Sequence, residues 1–420
     1  GKNQPNPLRK EALTTMAKGH RNNITKLLGL EGLRVLEVVE EEEIIVIKVQ
    51  PKKEKEIFCP HCASKHLYRH GKAKPRRVLH AYVCGKRIYL KIQGLQRWKC
   101  RRCGRTFTQQ LEILRPKSRL TNTAEMWVLW LLKHTSFKEV SKMLGISYGR
   151  VKKVLMEALA MIKLPELVAD DLKGLHIGID EHSFRHQEMV IVVTDVRAKR
   201  VLGILKDDRL STLEEFLKKI PPHKVKEVCI DMKEGFRKLA QRLFPKADVV
   251  VDHFHVIANA NKYMDEARRI EQDVTNKGKV KIPKKIFLVG FERLSEEGVK
   301  KLDELLSKYP NLKDFYWAKE KLRKLYSAKD KGEASKQLEL VIMNLKASDD
   351  AEARRWANTL KRWQQPILNY FDNKTTNAYT EGCNTKIKML KRLSFGLRNI
   401  EVYTKKMMLG FLPQKSFHTI

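Results

Sequence analysis

The chain has 420 residues, of which 42% are hydrophobic and 32% charged. That is ample apolar material for packed cores, and at roughly 100–200 residues per domain the length predicts two to four domains. No apolar run approaches the roughly 18 residues that span a bilayer, and the N-terminal stretch lacks the apolar core of an export signal, so neither a membrane-spanning nor a secreted protein is expected. Charge is lopsided: 85 Lys and Arg stand against 49 Asp and Glu, a formal +36. Solubility needs far less. The excess points to a polyanionic partner, nucleic acid being the commonest. A basic ribosome-associated zinc protein or a membrane-surface protein is the competing reading.

In chain order, Leu33–Val49 is rich in β-branched residues and broken by Glu40–Glu43, which predicts two strands. A cysteine region over 57–108 follows. Four of the seven cysteines form the pairs Cys59-Pro-His-Cys62 and Cys100-Arg-Arg-Cys103. Each pair can grip a tetrahedral ion from one turn, so a structural zinc site in a ribbon-like module is predicted, in a reducing compartment. Gly104 suits the tight turn after the second pair. His61, His66 and His70 are spare ligands, and Cys84 reads as a buried or spare thiol. Residues 51–103 hold 16 Lys and Arg against 2 Asp and Glu, with Tyr68, Tyr82, Tyr89 and Trp98 interleaved. Phosphate contact follows from that balance, with Arg97, Lys99, Arg101 and Arg102 as candidates.

Thr121–Lys133 is helical, and a short-helix pair runs on to about Ile162. Within 137–156, Val140, Met143 and Leu144 form one apolar face, Gly145 can turn with positive φ, Ile146 fills the turn, and Ser147 can cap the next helix. Val151, Val154 and Leu155 continue the core. Tyr148, Arg150, Lys152 and Lys153 then face outward, as a helix-turn-helix presents its second helix to DNA. Pro165 ends this unit and Asp170–Asp171 begin a linker. LHIGID, MVIVVTDV and KRVLGILKD predict a meander, followed by a helix capped by Thr212, the strand VKEVCID, a helix, and the strand ADVVVD. Strand–helix–strand alternation predicts an α/β sheet. Residues from about Val256 to Leu368 form a helical block, and a last helical segment spans roughly Asn377–Met408.

Three apolar runs end in aspartate, at Asp180, Asp231 and Asp252. Carboxylates at the carboxyl ends of parallel strands sit at the usual functional edge of an α/β sheet. A divalent cation commonly offsets their lost hydration. Phosphodiester chemistry uses two such ions about 3.5–4 Å apart. The bland alternative is that some of these aspartates only cap helices or turns. Asp195 is expected in a hairpin. Glu381 is the one acid in the basic stretch that carries Lys388, Lys391 and Arg392, and it reads equally as an ion-pair partner or a metal ligand.

The ordered combination of zinc ribbon, helix-turn-helix, GIDEHSF, DMKEGFRKLAQ, FPKADVVVDHFHV and TEGCNTKIKMLKRLSFGLRN resembles the ISL3 family of bacterial insertion-sequence transposases. The resemblance covers about residues 25–410. It implies an α/β fold, a ribonuclease-H-like catalytic core interrupted by a helical insertion and preceded by the two DNA-binding modules. The expected division is 25–110 strands and zinc module, 118–168 helix-turn-helix, 172–256 first part of the core, 257–375 insertion, and 376–412 the C-terminal helical part with the Glu. The resemblance further implies a catalytic triad of Asp180, Asp231 and Glu381 holding two Mg²⁺, with Mn²⁺ as a substitute. Asp252 and His255 are supporting residues, Asp252 being the alternative second ligand. Implied partners are double-stranded DNA (transposon ends and target) and further copies of the chain, without a membrane, in a cytoplasmic, nucleoid-associated setting. The implied activity is metal-dependent strand cleavage and transfer at terminal inverted repeats. A catalytically inactive, transposase-derived regulator and a nuclease of the same fold are the rivals.

Overall fold

The β-branched run after Leu33 folds back on itself because alternate residues, Leu33, Val35, Ile47 and Val49, can be buried together. In the computed structural model, which describes residues 18–52, 56–162, 174–185, 188–276, 279–413 and 416, these form β1 (Leu33–Glu40) and β2 (Ile44–Pro51) after helix α1 (Lys18–Leu27). Then come β3 (Leu67–Lys72), β4 (Arg76–Val83), β5 (Lys86–Ile92), β6 (Gln96–Cys100) and β7 (Thr106–Thr108). Two sheets result. β3, β6 and β7 make a small antiparallel sheet beside the paired cysteines. The β4–β5 hairpin, which lies between β3 and β6 in sequence, leaves that sheet and joins β1 and β2 in the order β1-β2-β5-β4, with β2 and β5 parallel. Composition explains the separation. Val78, Ala81, Ile88, Leu90 and Ile92 enter the apolar core of the first hairpin, whereas β3 reads LYRHGK and is largely exposed. Cys84, expected as a buried or spare thiol, is exposed on the β4–β5 turn with φ 50°.

Helices α2 (Asn122–Leu132), α3 (Phe137–Leu144) and α4 (Tyr148–Met161) follow. Thr121 caps α2 by accepting from the Ala124 N–H at 3.2 Å. Ser136 caps α3 through Glu139, Gly145 ends it in the left-handed region at φ 63°, and Ser147 Oγ accepts from the Arg150 N–H. Val140, Leu144, Val151, Val154 and Leu155 are buried, so the two helices share the expected apolar seam. Pro165 and Asp170–Asp171 lie outside the described residues.

The second sheet domain holds β8 (Leu175–Arg185), β9 (Glu188–Asp195), β10 (Arg200–Ile204), β11 (Val225–Ile230) and β12 (Asp248–Val251), in the order β10-β9-β8-β11-β12. β10, β9 and β8 are antiparallel; β8, β11 and β12 are parallel. Helices α5 (Leu210–Leu217) and α6 (Glu234–Leu243) supply connections. Two expectations need correction. Thr212 lies inside α5, whose N-cap is Arg209 without a side-chain bond. β8 also runs past Asp180 to Arg185, because His182 and Phe184, on the same face as Gly178 and Asp180, are buried in their turn, Phe184 against the Tyr403 ring. Asp195 does sit at the β9–β10 turn, accepting from the Arg197 and Ala198 N–H groups.

From α7 (His253–Asn276) the chain is helical: α8 (Lys285–Leu288), α9 (Glu296–Lys308), α10 (Lys313–Leu325), α11 (Lys331–Lys346), α12 (Ala351–Arg362), α13 (Gln364–Leu368) and α14 (Tyr370–Asn373). Their apolar faces share one core with the sheet, from Ile177 and Val228 to Trp356 and Ile367. The last segment is two helices, α15 (Ala378–Leu393) and α16 (Ile400–Leu409). It breaks where Gly396 takes φ 70° and Asn399 caps α16 through Val402. The chain divides into two compact units. One comprises residues up to 161 with 390–398 and 412 onward; the other comprises 162–389 and 399–411.

Candidate active site and metal centre

The cysteine pairs sit on two knuckles of the same design. In the first, the Cys59 carbonyl accepts from the Ala63 N–H at 2.9 Å; in the second, the Cys100 carbonyl accepts from the Gly104 N–H at 3.0 Å. Ala63 and Gly104 both have positive φ, 53° and 69°, so Gly104 has a counterpart in an alanine that nothing in the sequence marks. Cys59 and Cys103 sulfurs are 3.6 Å apart, as are those of Cys62 and Cys100. Zinc–sulfur bonds of about 2.3 Å in a tetrahedron place sulfurs about 3.8 Å apart. The four cysteines therefore fit a structural zinc ion, and all four ligand atoms converge without a histidine.

The acidic cluster is built from the sheet upward. Asp180 lies on β8, Asp231 follows the last residue of β11, and β8 and β11 are parallel neighbours. Even-numbered residues of β8 share one face. On that face Gly178 admits the start of α15. A Cβ there would stand 2.5 Å from Asn377 Oδ1 and 2.7 Å from Thr380 Oγ1. Asn377 also donates to the Ile179 carbonyl at 3.1 Å. Glu381 thus falls in the first turn of α15, just past the Asn377 and Thr380 contacts to β8, with its own side chain exposed.

Ligand atoms of Asp180, Asp231 and His255 lie within 4.8 Å of one another. His255 Nε2 is 2.6 Å from Asp231 Oδ1, and Asn384 Nδ2 donates to Asp180 Oδ2 at 2.6 Å. Burial, then the negative charge of Asp231, pushes the Asp180 carboxyl up to about 6. Burial, then Asp252, also raises Glu381. The Asp231 carboxylate raises His255. Such convergence of like charges fits a bound cation. Glu381 lies outside the 4.8 Å group, one turn before Asn384 on α15.

Asp252 is different. It is fully buried, with Oδ1 accepting from the Phe254 N–H at 3.0 Å and Oδ2 from the Asn377 N–H at 2.8 Å. Burial disfavours its charge, but bonds from His253, Phe254 and Asn377 outweigh that and lower its pKa. Its oxygens tie β12 to the start of α15 instead of joining the cluster. Glu181, next to Asp180, pairs with Lys233. Asn377 is legible in the sequence as a candidate cap of the last helix, but Asn384 is not: a lone amide inside a polar helix has no periodic or spacing signal.

The basic candidates are distributed as follows. Arg97, Arg101, Arg102 and Lys153 are exposed, and Lys99, Arg150 and Lys152 are half-buried. Tyr148 is exposed, yet its ring lies 5.4 Å from that of Phe137. Lys153 is 3.6 Å from Glu157. Lys388 and Arg392 are exposed and Lys391 half-buried.

Comparison with known proteins reproduces this order. Residues 55–103 match the zinc finger of the transposases of IS204, IS1001, IS1096 and IS1165. Residues 109–158 match the helix-turn-helix domain of transposase family ISL3, and residues 177–407 match the ISL3 transposase profile. The transposase for insertion sequence element IS1001 of Bordetella parapertussis is 24% identical over 368 residues, covering 85% of this chain and 89% of the relative. The transposases for IS1557 of two Mycobacterium tuberculosis strains, CDC 1551 / Oshkosh and ATCC 25618 / H37Rv, are 26% identical over 304 residues, covering 65% of this chain and 67% of each relative. A zinc ribbon, a helix-turn-helix and an α/β domain with converging carboxylates, in this order, define an insertion-sequence transposase. The chain belongs to the ISL3 family of these transposases.

Proposed function

We propose that this transposase cuts and joins DNA at the terminal repeats of its element with a ribonuclease-H-like core whose catalytic acids are Asp180, Asp231 and Glu381. The observation that carries the reading is the meeting of Asp180 and Asp231 from adjacent parallel strands, with Glu381 in the helix turn seated over Gly178. The sheet, three antiparallel strands followed by two parallel ones on the other side of β8, supports the fold assignment. Asp180, Asp231 and Glu381 would hold two Mg²⁺, or Mn²⁺. Bound there, the ions activate the attacking oxygen and stabilise the leaving one. The protein's own part is positioning. His255 fixes the Asp231 carboxylate, Asn384 fixes that of Asp180, and Asp252 holds the turn that carries Glu381. Hydrolysis frees a 3′-hydroxyl at the element end, and that hydroxyl displaces a target phosphodiester in line. The zinc ribbon and the helix-turn-helix bind the end, and pairing of two ends brings copies of the chain together.

Strand cleavage and joining on a labelled element-end duplex with Mg²⁺ tests this. Alanine at Asp180, Asp231 or Glu381 is expected to abolish both steps while DNA binding persists. Asp252→Asn, which keeps one acceptor oxygen, retains a measurable fraction. Loss with Asp252→Asn while Asp231→Ala stays active would move the second ligand to Asp252. Binding without cleavage by the wild type would mark a regulator.

A further inference from the structure

The N-terminal unit holds a basic groove that neither the zinc knuckles nor the helix-turn-helix forms alone. A cavity of about 700 Å³ is lined by Arg76, Arg77, Arg119 and Arg150, together with Tyr89 and Ser147. The arginines come from three places: the start of β4, the segment before α2, and the first turn of α4. Neighbouring cations are neutralised, Arg87 by Glu43 at 2.5 Å and Arg115 by Glu125 and Glu157. Among the described residues, none of the four groove arginines has such an acid partner. Four like charges around one cavity repel one another unless an anion enters.

Two walls of the groove are joined by backbone hydrogen bonds. The Leu79 N–H donates to the Arg119 carbonyl at 2.9 Å, and the Thr121 N–H donates to the Leu79 carbonyl at 3.0 Å, so Arg77 and Arg119 are carried on hydrogen-bonded backbone. The Arg77 guanidinium lies 4.0 Å over the Tyr89 ring. Gly145 faces the sheet, with the Arg87 guanidinium where a Cβ would stand. Ser147 opens the 14-residue α4, whose N-terminal dipole adds positive potential to the same cavity. Burial lowers the pKa of Arg76, a cost that a bound anion would remove.

We infer that this groove takes the sugar–phosphate backbone of the duplex that α4 reads, with the arginine forks of Arg76, Arg77 and Arg119 gripping its phosphates. Guanidinium forks match phosphate oxygens two at a time, which lysine cannot do. The inference rests on the reading that the helix-turn-helix engages duplex DNA. It makes the four-stranded sheet part of the DNA-binding surface and assigns it the sequence-independent share of affinity.

The test uses the full chain, zinc-loaded, and fluorescence anisotropy on an element-end duplex and a shuffled duplex across a salt series. Each of Arg76→Gln, Arg77→Gln and Arg119→Gln should reduce the log–log salt slope by about 0.9 and weaken both duplexes by similar factors. Arg→Lys at the same positions should restore most of the slope, and circular dichroism should match wild type. A Gln variant with the wild-type slope overturns the inference. So does loss confined to the element-end duplex, which would assign these arginines to base reading. If wild type binds neither duplex, the helix-turn-helix reading fails as well, a result distinct from unaltered variants of a binding protein.

Discussion

Gly178 shows how one residue places the turn that carries Glu381, a catalytic acid in the proposed reading. Its missing Cβ leaves room for Asn377 and Thr380, and Asn377 is held by the Asp252 carboxylate below it. Gly178→Ala should push the start of α15 off β8, costing about 1–3 kcal/mol as an overpacked contact. Strand cleavage should fall more steeply than stability, because Glu381 moves with the turn. Thermal unfolding beside single-turnover cleavage measures both; an alanine variant with full activity would show that the turn can shift freely. Lys406 gives a pH prediction at the same scale. It is 2% exposed on α16, and burial lowers its pKa from 10.5 to about 8. Between those values the unfolded chain binds the proton and the folded chain does not, so this residue's contribution to stability rises with pH from about 8 to 10.5 and is absent below 8. Lys406→Met should remove this rise in stability between about pH 8 and 10.5. Denaturant titrations at the two pH values check the sign.

What the sequence discloses at residue scale follows local pattern. Asp180 and Asp231 stand out because apolar strand runs lead into them, but Asp252 carries the same mark. Only the backbone N–H groups of Phe254 and Asn377, brought in by the fold, show that its oxygens are already engaged. Glu381 is ambiguous in the sequence because an acid among lysines reads equally as an ion-pair partner and as a metal ligand.

At the scale of elements, hydrophobic alternation and turn residues located most strands and both helices of the helix-turn-helix. Pairing over distance was not legible. Nothing local says that β5 will lie parallel to β2, or that the hairpin between the two cysteine pairs will leave the ribbon and pack with Val35 and Ile47. That arrangement ties the zinc site to a second sheet, since the two ends of the β4–β5 hairpin run into β3 and β6 of the small sheet. Chelation of zinc, or Cys100→Ser, should therefore do more than loosen a surface loop. The small sheet should lose hydrogen-exchange protection, and the amides of β4 and β5 should exchange faster than those of β1. Structural zinc sites supply apparent energies of about 10–16 kcal/mol in small modules, far more than three short strands can replace. Unchanged protection in β3 and β6 after verified zinc loss would show that the ribbon holds without its ion.

The whole molecule joins two units, each with a cluster of side chains that could hold a metal ion, and the two clusters differ in what they ask of the fold. In the first, four cysteine sulfurs converge from two knuckles, so a zinc ion would cross-link two separate stretches of the chain. In the second, a packed core extending from the sheet to Trp356 supports a cluster of acids that repel one another. Burial and the neighbouring Asp231 charge make Asp180 costly to ionise, so the metal-free acidic site is a weak point in an otherwise well-packed unit. A cation that binds the folded state alone stabilises it by mass action. Millimolar Mg²⁺ is therefore expected to raise the unfolding temperature of the second unit and leave that of the first unchanged, while a zinc-selective chelator does the reverse. Asp180→Asn should melt higher than wild type without Mg²⁺ and gain nothing from its addition, because the substitution removes the repulsion and the ligand together. Differential scanning calorimetry with and without Mg²⁺ tests the pair of outcomes. A Mg²⁺ response that survives in both Asp180→Asn and Asp231→Asn would place the ion elsewhere and separate stability from the proposed chemistry.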